Sequence, residues 1–207
     1  MSRARTIVGS HRPDTKGIAE LYETPPEAVR ALMAAEPFFS RPQMIWEPAC
    51  GPGQIVAALE ACGHDVIASD KFDYSDRWKG ARPAHWGFDF LDQPEPMRAC
   101  RAIVMNPPFS MADAFVERAL QEAPRVYALL ELGWLQGDSS PVRNRLIDDG
   151  PLVRVHAFAD RLDMHRDGFP VERRTNSTRK HAWFCFVNRR KADAVPVAFR
   201  RISAKGA

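Results

Sequence analysis

The run Asn106-Pro107-Pro108-Phe109 places a side-chain amide, two rigid prolines and an aromatic ring directly after an apolar segment. An exocyclic amine on a purine ring is a poor nucleophile because its lone pair is delocalised into the ring. Hydrogen bonds from its two N–H groups to fixed acceptors favour a pyramidal, more reactive nitrogen. The Asn106 amide oxygen and the Pro107 carbonyl are suited to accept those bonds, and Phe109 is suited to stack on an extruded base. The motif therefore predicts attack of an amine on an electrophilic methyl group held in line.

A second motif, Glu47-Pro48-Ala49-Cys50-Gly51-Pro52-Gly53, lies between an apolar strand and an amphipathic helix. Open α/β sheets bind nucleotide-like ligands at such a strand-to-helix turn. Gly51 and Gly53 would let the backbone approach a ligand closely, although a tight turn alone also favours glycine. Val56 stands where a dinucleotide fingerprint has its third glycine, which disfavours NAD.

Two acidic positions follow later apolar runs. Asp70 lies 17 positions beyond Gly53, where a carboxylate can accept hydrogen bonds from the two hydroxyls of a ribose. Asp89 and Phe90 would supply an acceptor for an adenine amine and an apolar wall beside its ring, although an ordinary strand end is the alternative. These positions predict an adenosine-type cofactor without phosphates, and the chemistry requires no metal and no covalent enzyme intermediate.

The elements that must position these motifs alternate between short apolar runs and helix-period segments from Met44 onward. This pattern predicts one α/β domain with a mostly parallel sheet, in which the two loops face one crevice at the switch point. Seven strands are predicted, over Gln43–Trp46, Asp65–Ser69, Ala84–Phe88, Ala102–Met105, Val126–Leu132, Leu152–Phe158 and Ala182–Val187.

Helix signals separate these strands. The first helix is predicted to begin at a capping box in which Thr24 caps, Pro25 occupies the first turn and Glu27 completes the box. Later helices are predicted over Gln54–Ala61, from after Ser110 towards Glu122 with Asp113 in the box position, and from Ser140-Pro141 to before Gly150.

Composition sets the class of protein. The 207 residues are 45% hydrophobic and 27% charged, which is typical of one compact domain and excludes a disordered or fibrous chain. Apolar runs fall far short of the roughly 18–20 residues that cross a bilayer, and no secretory apolar core opens the chain. Four cysteines without a Cys-x-x-Cys pair disfavour a zinc or disulfide scaffold. We therefore expect a cytoplasmic protein with a flexible N-terminus (1–20), one domain (21–202) and a short tail (203–207).

Together these motifs resemble the S-adenosylmethionine-dependent amino-methyltransferases, and most closely the DNA adenine-N6 methyltransferases. The match spans roughly Tyr22 to Phe109, with weaker agreement to Val187, and the cofactor motifs precede the catalytic one as in one subgroup of that family. His181–Phe186 is similar to the late strand of its antiparallel edge hairpin. The resemblance implies a single Rossmann-like methyltransferase domain with a seven-stranded, mostly parallel sheet and a C-terminal antiparallel hairpin.

The resemblance also implies roles for individual residues, with S-adenosylmethionine as cofactor. In that family the Asn-Pro-Pro-aromatic loop is catalytic, the glycine loop holds the methionine part of the cofactor, and an N-terminal segment contacts the cofactor. The implied catalytic residues are Asn106, Pro107, Pro108 and Phe109. The implied cofactor-binding residues are Tyr22, Thr24, Glu47, Pro48, Ala49, Cys50, Gly51, Gly53, Asp70, Asp89 and Phe90.

The charge distribution adds a nucleic-acid hypothesis. Residues 161–205 hold 12 Lys/Arg against four acidic residues, a balance of +8, although the whole chain carries only +3. The long stretch within this basic quarter predicts a surface that contacts phosphates without reading sequence. Its proposed contacts are Arg166, Arg173, Arg174, Arg179 and Lys180. The chain has room only for loops where sequence-specific relatives commonly carry a sizeable target-recognition domain.

Three alternatives stay open beside methylation of adenine N6 in DNA. RNA (adenine or guanine) or a protein glutamine offers an amine or amide nitrogen that can use the same acceptor pair. Glutamine-modifying relatives usually have tyrosine where Phe109 lies and an extra helical N-terminal domain. A non-catalytic binding module is the third alternative, although it would have no chemical reason to retain Asn106.

Overall fold

The structure is a computed structural model that describes residues 20–92, 100–136, 140–162, 164–166, 180–188 and 196–205. The helices within this part of the chain are α1 (Pro26–Ala35), α2 (Gln54–Ala61), α3 (Ala112–Glu122) and α4 (Pro141–Asp148). The strands are β1 (Tyr22–Glu23), β2 (Met44–Glu47), β3 (Asp65–Asp70), β4 (His85–Trp86), β5 (Ala102–Met105), β6 (Arg125–Glu131), β7 (Leu152–Phe158), β8 (His165–Arg166), β9 (His181–Val187) and β10 (Ala198–Ile202).

Eight strands form one mixed sheet in the order β10-β7-β9-β6-β5-β2-β3-β4. The segment from β6 to β4 is parallel, and β10 is parallel to β7. Strand β9 is antiparallel to both of its neighbours, β6 and β7. Strands β1 and β8 form a separate antiparallel pair. The predicted α/β class, with a mostly parallel sheet and a C-terminal antiparallel hairpin, is confirmed.

The predicted number of strands is wrong, because the sheet has eight strands and not seven. The missed strand is β10, which forms one edge of the sheet beside β7. Four of its five residues are exposed, so its sequence lacks the alternation of apolar and polar residues that marks a half-buried strand. The late strand β9 lies inside the sheet, between β7 and β6, and β10 extends the sheet beyond β7.

Two apolar cores fill the two sides of the sheet. One packs side chains of α3 and α4 against alternate residues of the central strands, such as Ile103 and Phe184. The other packs α1 and α2 against the opposite residues, such as Val104 and Trp183. Because strand side chains alternate between faces, this division follows from the apolar runs that mark the buried strands.

The helix starts show where local signals fail. Helix α1 begins after Pro25 without a side-chain cap, so the predicted capping role of Thr24 is wrong. The Thr24 hydroxyl instead accepts a hydrogen bond from Asn106. The capping box predicted for α3 with Asp113 does not form either, because α3 has no side-chain cap and the Asp113 carboxylate accepts hydrogen bonds from Trp134 and Ser140. Helix α2 has the predicted bounds, and α4 follows its N-cap Ser140, whose Oγ accepts a bond from the Arg143 amide.

The ends of the described chain make specific contacts. Glu20, placed by prediction in the flexible N-terminus, accepts hydrogen bonds from the Ser110 amide and hydroxyl. In the predicted tail, the Ser203 hydroxyl donates to Asp160 at 2.5 Å. Residues 1–19, 206 and 207 lie outside the described residues, and the division into terminus, domain and tail stays a prediction. None of the described helices has the length and apolar character needed to span a bilayer.

Candidate active site

A cavity of about 310 Å³ lies where the carboxyl ends of β2, β3 and β5 meet. Clefts at this edge of a parallel sheet are the usual ligand sites of α/β folds. Ten of the eleven predicted cofactor-binding residues line the cavity, the exception being Gly53. Asn106 and Pro108 of the predicted catalytic loop also line it, whereas Pro107 and Phe109 do not. The sheet therefore brings motifs from five separate segments to one cleft.

The glycine loop turns tightly between β2 and α2. Gly51 and Gly53 have φ angles of 49° and 90°, in the left-handed backbone region that residues other than glycine rarely adopt. The Gly51 amide donates to Asp70 Oδ2 at 2.8 Å, which ties the loop to the end of β3. A Cβ on Gly53 would lie 2.7 Å from the Trp78 ring. Gly53 is therefore needed for the close packing of the loop against Trp78. The sequence alone does not predict this contact.

Two carboxyl groups lie almost fully buried beside this loop. Burial raises the pKa of Glu47 well above its ordinary value, and the neighbouring Asp70 raises it further. Glu47 Oε2 has no hydrogen-bond partner among the described residues. Burial also raises the pKa of Asp70, although the amides of Phe72 and Gly51 donate to its two oxygens. The described lining of the cavity has five acidic residues and one basic residue, Lys71.

Asp89, the second predicted acidic position, has a different environment from the one predicted. Asp89 follows β4 in a turn, and its Oδ2 accepts a hydrogen bond from Lys71 Nζ at 2.7 Å. This bond with Lys71 lowers the pKa of Asp89 below its ordinary value. Phe90 is buried, with its ring 5.2 Å from that of Trp46 and 5.3 Å from that of Phe115, so only part of its surface faces the cavity.

Asn106 lies at the end of β5 and contacts the N-terminal segment. Its Nδ2 donates to the Tyr22 carbonyl at 3.0 Å and to Thr24 Oγ1 at 3.1 Å. Its Oδ1 is buried and has no hydrogen-bond partner within the described part of the chain. A buried amide oxygen without a donor is unfavourable in a folded protein, which makes it a candidate for accepting a bond from a ligand.

The aromatic residue of the motif lies in a small stack. The Phe109 ring centroid is 5.1 Å from that of Tyr22 and 5.7 Å from that of His181, with tilted ring planes. Spacing of this kind is typical of favourable aromatic pairs. The three residues come from the predicted catalytic loop, β1 and β9, so the stack joins three parts of the sequence next to the cavity.

Most of the predicted nucleic-acid contacts lie outside the part of the chain that the structure describes. Arg173, Arg174 and Arg179 lie outside the described residues, and Arg166 is described only as a backbone position in β8, opposite Tyr22. Lys180 is exposed, and its carbonyl accepts a hydrogen bond from the Leu132 amide at 2.7 Å. The basic surface therefore stays a prediction.

Sequence reasoning missed several residues of the cavity wall. Among them are Lys71, Phe72, Phe88, Leu91, Met111 and Phe115. Lys71 and Phe72 directly follow Asp70, so their position after a strand end was a usable signal. Met111 and Phe115 lie at the start of α3, where the helical pattern gave no reason to separate cavity residues from core residues.

Solved structures share this fold at low sequence identity. A type I restriction-modification methyltransferase subunit from Streptococcus thermophilus matches 83% of this chain and 46% of its own, with a TM-score of 0.58 and 13% identity. A protein from Pyrococcus horikoshii, described as a putative RNA methyltransferase, matches 81% of this chain over 87% of its own, with a TM-score of 0.55 and 15% identity. Magnesium protoporphyrin IX methyltransferase from Synechocystis, solved with bound S-adenosylmethionine, matches 79% of both chains, with a TM-score of 0.53 and 12% identity.

The likeness assigns the chain to the Rossmann-like methyltransferase fold. The chain spans less than half of the length of the Streptococcus subunit and of a similar subunit from Vibrio vulnificus. No protein-family model matches the sequence, and no curated protein matches it either.

Proposed function

We propose that the protein transfers a methyl group from S-adenosylmethionine to the exocyclic N6 amine of adenine in DNA. The observation that carries this proposal is the Asn106 amide, whose oxygen is buried without a donor beside a cavity in a methyltransferase fold. An acceptor in this state is suited to receive an N–H bond from an amine. The resemblance of the Asn-Pro-Pro-Phe loop to amino-methyltransferases supports the same chemistry.

The residues around the cavity fit the proposed cofactor. Asp70 and Asp89 offer carboxylate oxygens for ribose hydroxyls and an adenine amine, and the glycine loop with Glu47 offers a narrow acidic end for a methionine ammonium group. Bound there, S-adenosylmethionine would supply an electrophilic methyl group to the amine nitrogen, and its sulfur would leave as a neutral thioether. Asn106 positions the amine and Phe109 supports the base, so that positioning provides much of the rate.

The substrate is tested by offering DNA, RNA and protein in parallel to the purified protein with methyl-labelled cofactor. We expect label in DNA, and modified-base sequencing should find it on adenine N6. Label only in RNA would replace the proposal with the RNA alternative, which the likeness to the Pyrococcus protein also favours. Label in none of the three would reject the proposal.

The role of Asn106 is tested by Asn106→Ala. We expect transfer to fall by at least about a hundredfold, because a preorganised hydrogen-bond group is lost, while calorimetry shows retained cofactor binding. Asn188→Ala is the matched control, because the Asn188 amide also donates to a backbone carbonyl, that of Leu120 at 2.7 Å, and does not line the cavity. An equal loss of transfer in both variants would contradict a specific role for Asn106.

A further inference from the structure

The described N-terminal segment, residues 20–24, lies against the catalytic loop and is called the strap below. Glu20 accepts two hydrogen bonds from Ser110, just after the loop. Leu21 packs so closely over the glycine turn that a Cβ on Gly51 would lie 2.8 Å from its Cδ1. The strap therefore contacts both the loop at Asn106 and the glycine turn.

The contacts of the strap with Asn106 determine which way its amide points. A backbone carbonyl can only accept a hydrogen bond, so the atom of Asn106 that faces the Tyr22 carbonyl at 3.0 Å must be its nitrogen. The same nitrogen donates its second proton to Thr24 Oγ1 at 3.1 Å. Both N–H groups are then used, and a reversed amide would set its oxygen against the carbonyl oxygen of Tyr22.

The consequence concerns the amide oxygen. With the nitrogen held by the strap, Oδ1 is the only polar atom of the Asn106 side chain left for another group, and it has no donor among the described residues. Preorganised acceptors contribute most to catalysis because they need no reorientation during the reaction. A side chain that rotated freely would present donor and acceptor in turn.

We propose that Thr24 is a positioning residue, whose hydroxyl fixes the Asn106 amide with its oxygen ready to accept the substrate amine. This inference rests on the proposed function of Asn106 but differs from the role that the family resemblance implies for Thr24, which is contact with the cofactor. The Thr24 hydroxyl bonds to a residue 82 positions away, and the N-cap position of α1 is Pro25.

Thr24→Val and Thr24→Ser test this role, because valine keeps the shape of threonine without its hydroxyl and serine keeps the hydroxyl. For Thr24→Val we expect kcat to fall roughly tenfold or more, with the cofactor Kd unchanged within about twofold. Thr24→Ser should recover most of the lost rate. A weakened cofactor affinity with unchanged kcat would overturn the inference in favour of direct cofactor contact, and equal rates in all three proteins would also overturn it.

A second measurement separates this inference from the proposed function. In ¹⁵N-labelled protein without cofactor, the Asn106 side-chain NH₂ signals are assigned by their loss in Asn106→Ala. We expect these protons to exchange slowly with solvent in wild type and Thr24→Ser, and faster in Thr24→Val. If the wild type transfers no methyl group, the proposed function fails while this result still decides whether Thr24 holds the amide. Unchanged exchange in Thr24→Val would show that it does not.

Discussion

Glu36 and Glu47, both described by the structure, are almost fully buried, and their surroundings differ. Glu36, at the end of α1, is 5% exposed, and Glu47, at the end of β2, is 2% exposed. Glu36 Oε1 accepts hydrogen bonds from Arg154 and, at 2.7 Å, from His156. Glu47 has a buried oxygen without a partner in the described chain and a second acid, Asp70, beside it. The fold thus provides Arg154 and His156 as partners for the Glu36 carboxylate, and it provides no such partner for Glu47 Oε2 among the described residues.

The pKa values follow this difference. Burial on its own would raise the pKa of Glu36, but the hydrogen bonds from His156 and Arg154 lower it below its ordinary value. Burial raises the pKa of Glu47, and Asp70 adds to that shift. A charge paired in the interior stabilises its charged form, whereas an unpaired one is unfavourable unless a ligand compensates it. The fold thus compensates Glu36 through Arg154 and His156, whereas the proposed function assigns the compensation of Glu47 to the ammonium group of the cofactor.

Glu36 also belongs to a cluster that has the composition of a metal site. One oxygen of Glu36, one ring nitrogen of His156 and the Cys185 sulfur lie within 4.8 Å of one another. The Arg154 guanidinium bonds to the same carboxylate and already supplies its positive partner. Burial raises the pKa of the Cys185 thiol well above its ordinary value, with Glu36 adding to the shift. The contacts therefore describe a structural ion pair within the core on the α1 side of the sheet.

The largest expected effect comes from Glu36→Gln, which removes the negative charge between Arg154 and His156. Breaking a buried pair leaves its partner uncompensated, and we expect the free energy of unfolding to fall by about 3 kcal/mol. Urea unfolding measures this change. The control is Asp65→Asn, in the exposed pair with Arg82 at 3.0 Å, where we expect less than about 1 kcal/mol. Similar losses in both variants would remove the distinction between the compensated pair and surface pairs.

The same substitution at the other buried glutamate, Glu47→Gln, should not lower the free energy of unfolding. Glu47→Gln removes a buried carboxyl that has no cationic partner among the described residues and lies beside Asp70. We expect the free energy of unfolding to stay equal or to rise by about 1 kcal/mol, because groups kept for function often oppose stability. S-adenosylmethionine binding, measured by calorimetry, should weaken by about tenfold. A loss of stability as large as that of Glu36→Gln would contradict the comparison.

The fold could be predicted from the sequence better than the surroundings of Glu36 and Glu47. Strand Leu152–Phe158 and helix Gln54–Ala61 follow from apolar periodicity, which is a local property. The hydrogen bond between Glu36 and His156 joins residues 120 positions apart, and no periodicity indicates it. Capping signals are local and assign Thr24 to the nearest helix, but its actual hydrogen-bond partner, Asn106, is distant in sequence. Edge strand β10 was missed because exposure on both faces removes the alternating pattern.

The site shows the same division between local and distant information. The cleft that holds Asp70, Asn106 and the glycine loop could be predicted because the carboxyl ends of parallel strands meet at one edge. The pairing of Asp89 with Lys71 could not, since Asp89 was assigned to the end of a longer strand than the one that forms. A turn places its carboxylate beside a lysine 18 positions earlier in the chain.

The smallest expected effect is a difference in pH dependence between the two variants. The pKa of Glu36 is lowered in the folded state, so its contribution to stability is present above its ordinary value of 4.5 and lost as the pH falls through the folded value. The pKa of Glu47 is raised, so its contribution is present below 4.5 and lost as the pH rises through the folded value. Relative to wild type, Glu36→Gln should therefore be least destabilised in acid, and Glu47→Gln should gain stability as the pH rises.

Urea unfolding of the three proteins from about pH 4 to pH 8 measures these slopes, with an expected change of about 1 kcal/mol for each variant across the range. The difference between each variant and wild type is the quantity to compare, because titration of the other acidic residues then cancels. Parallel slopes for the two variants would show that Arg154 and His156 do not distinguish Glu36 from Glu47. Opposite slopes would locate the unpaired acid at the cavity, where the proposed ligand binds.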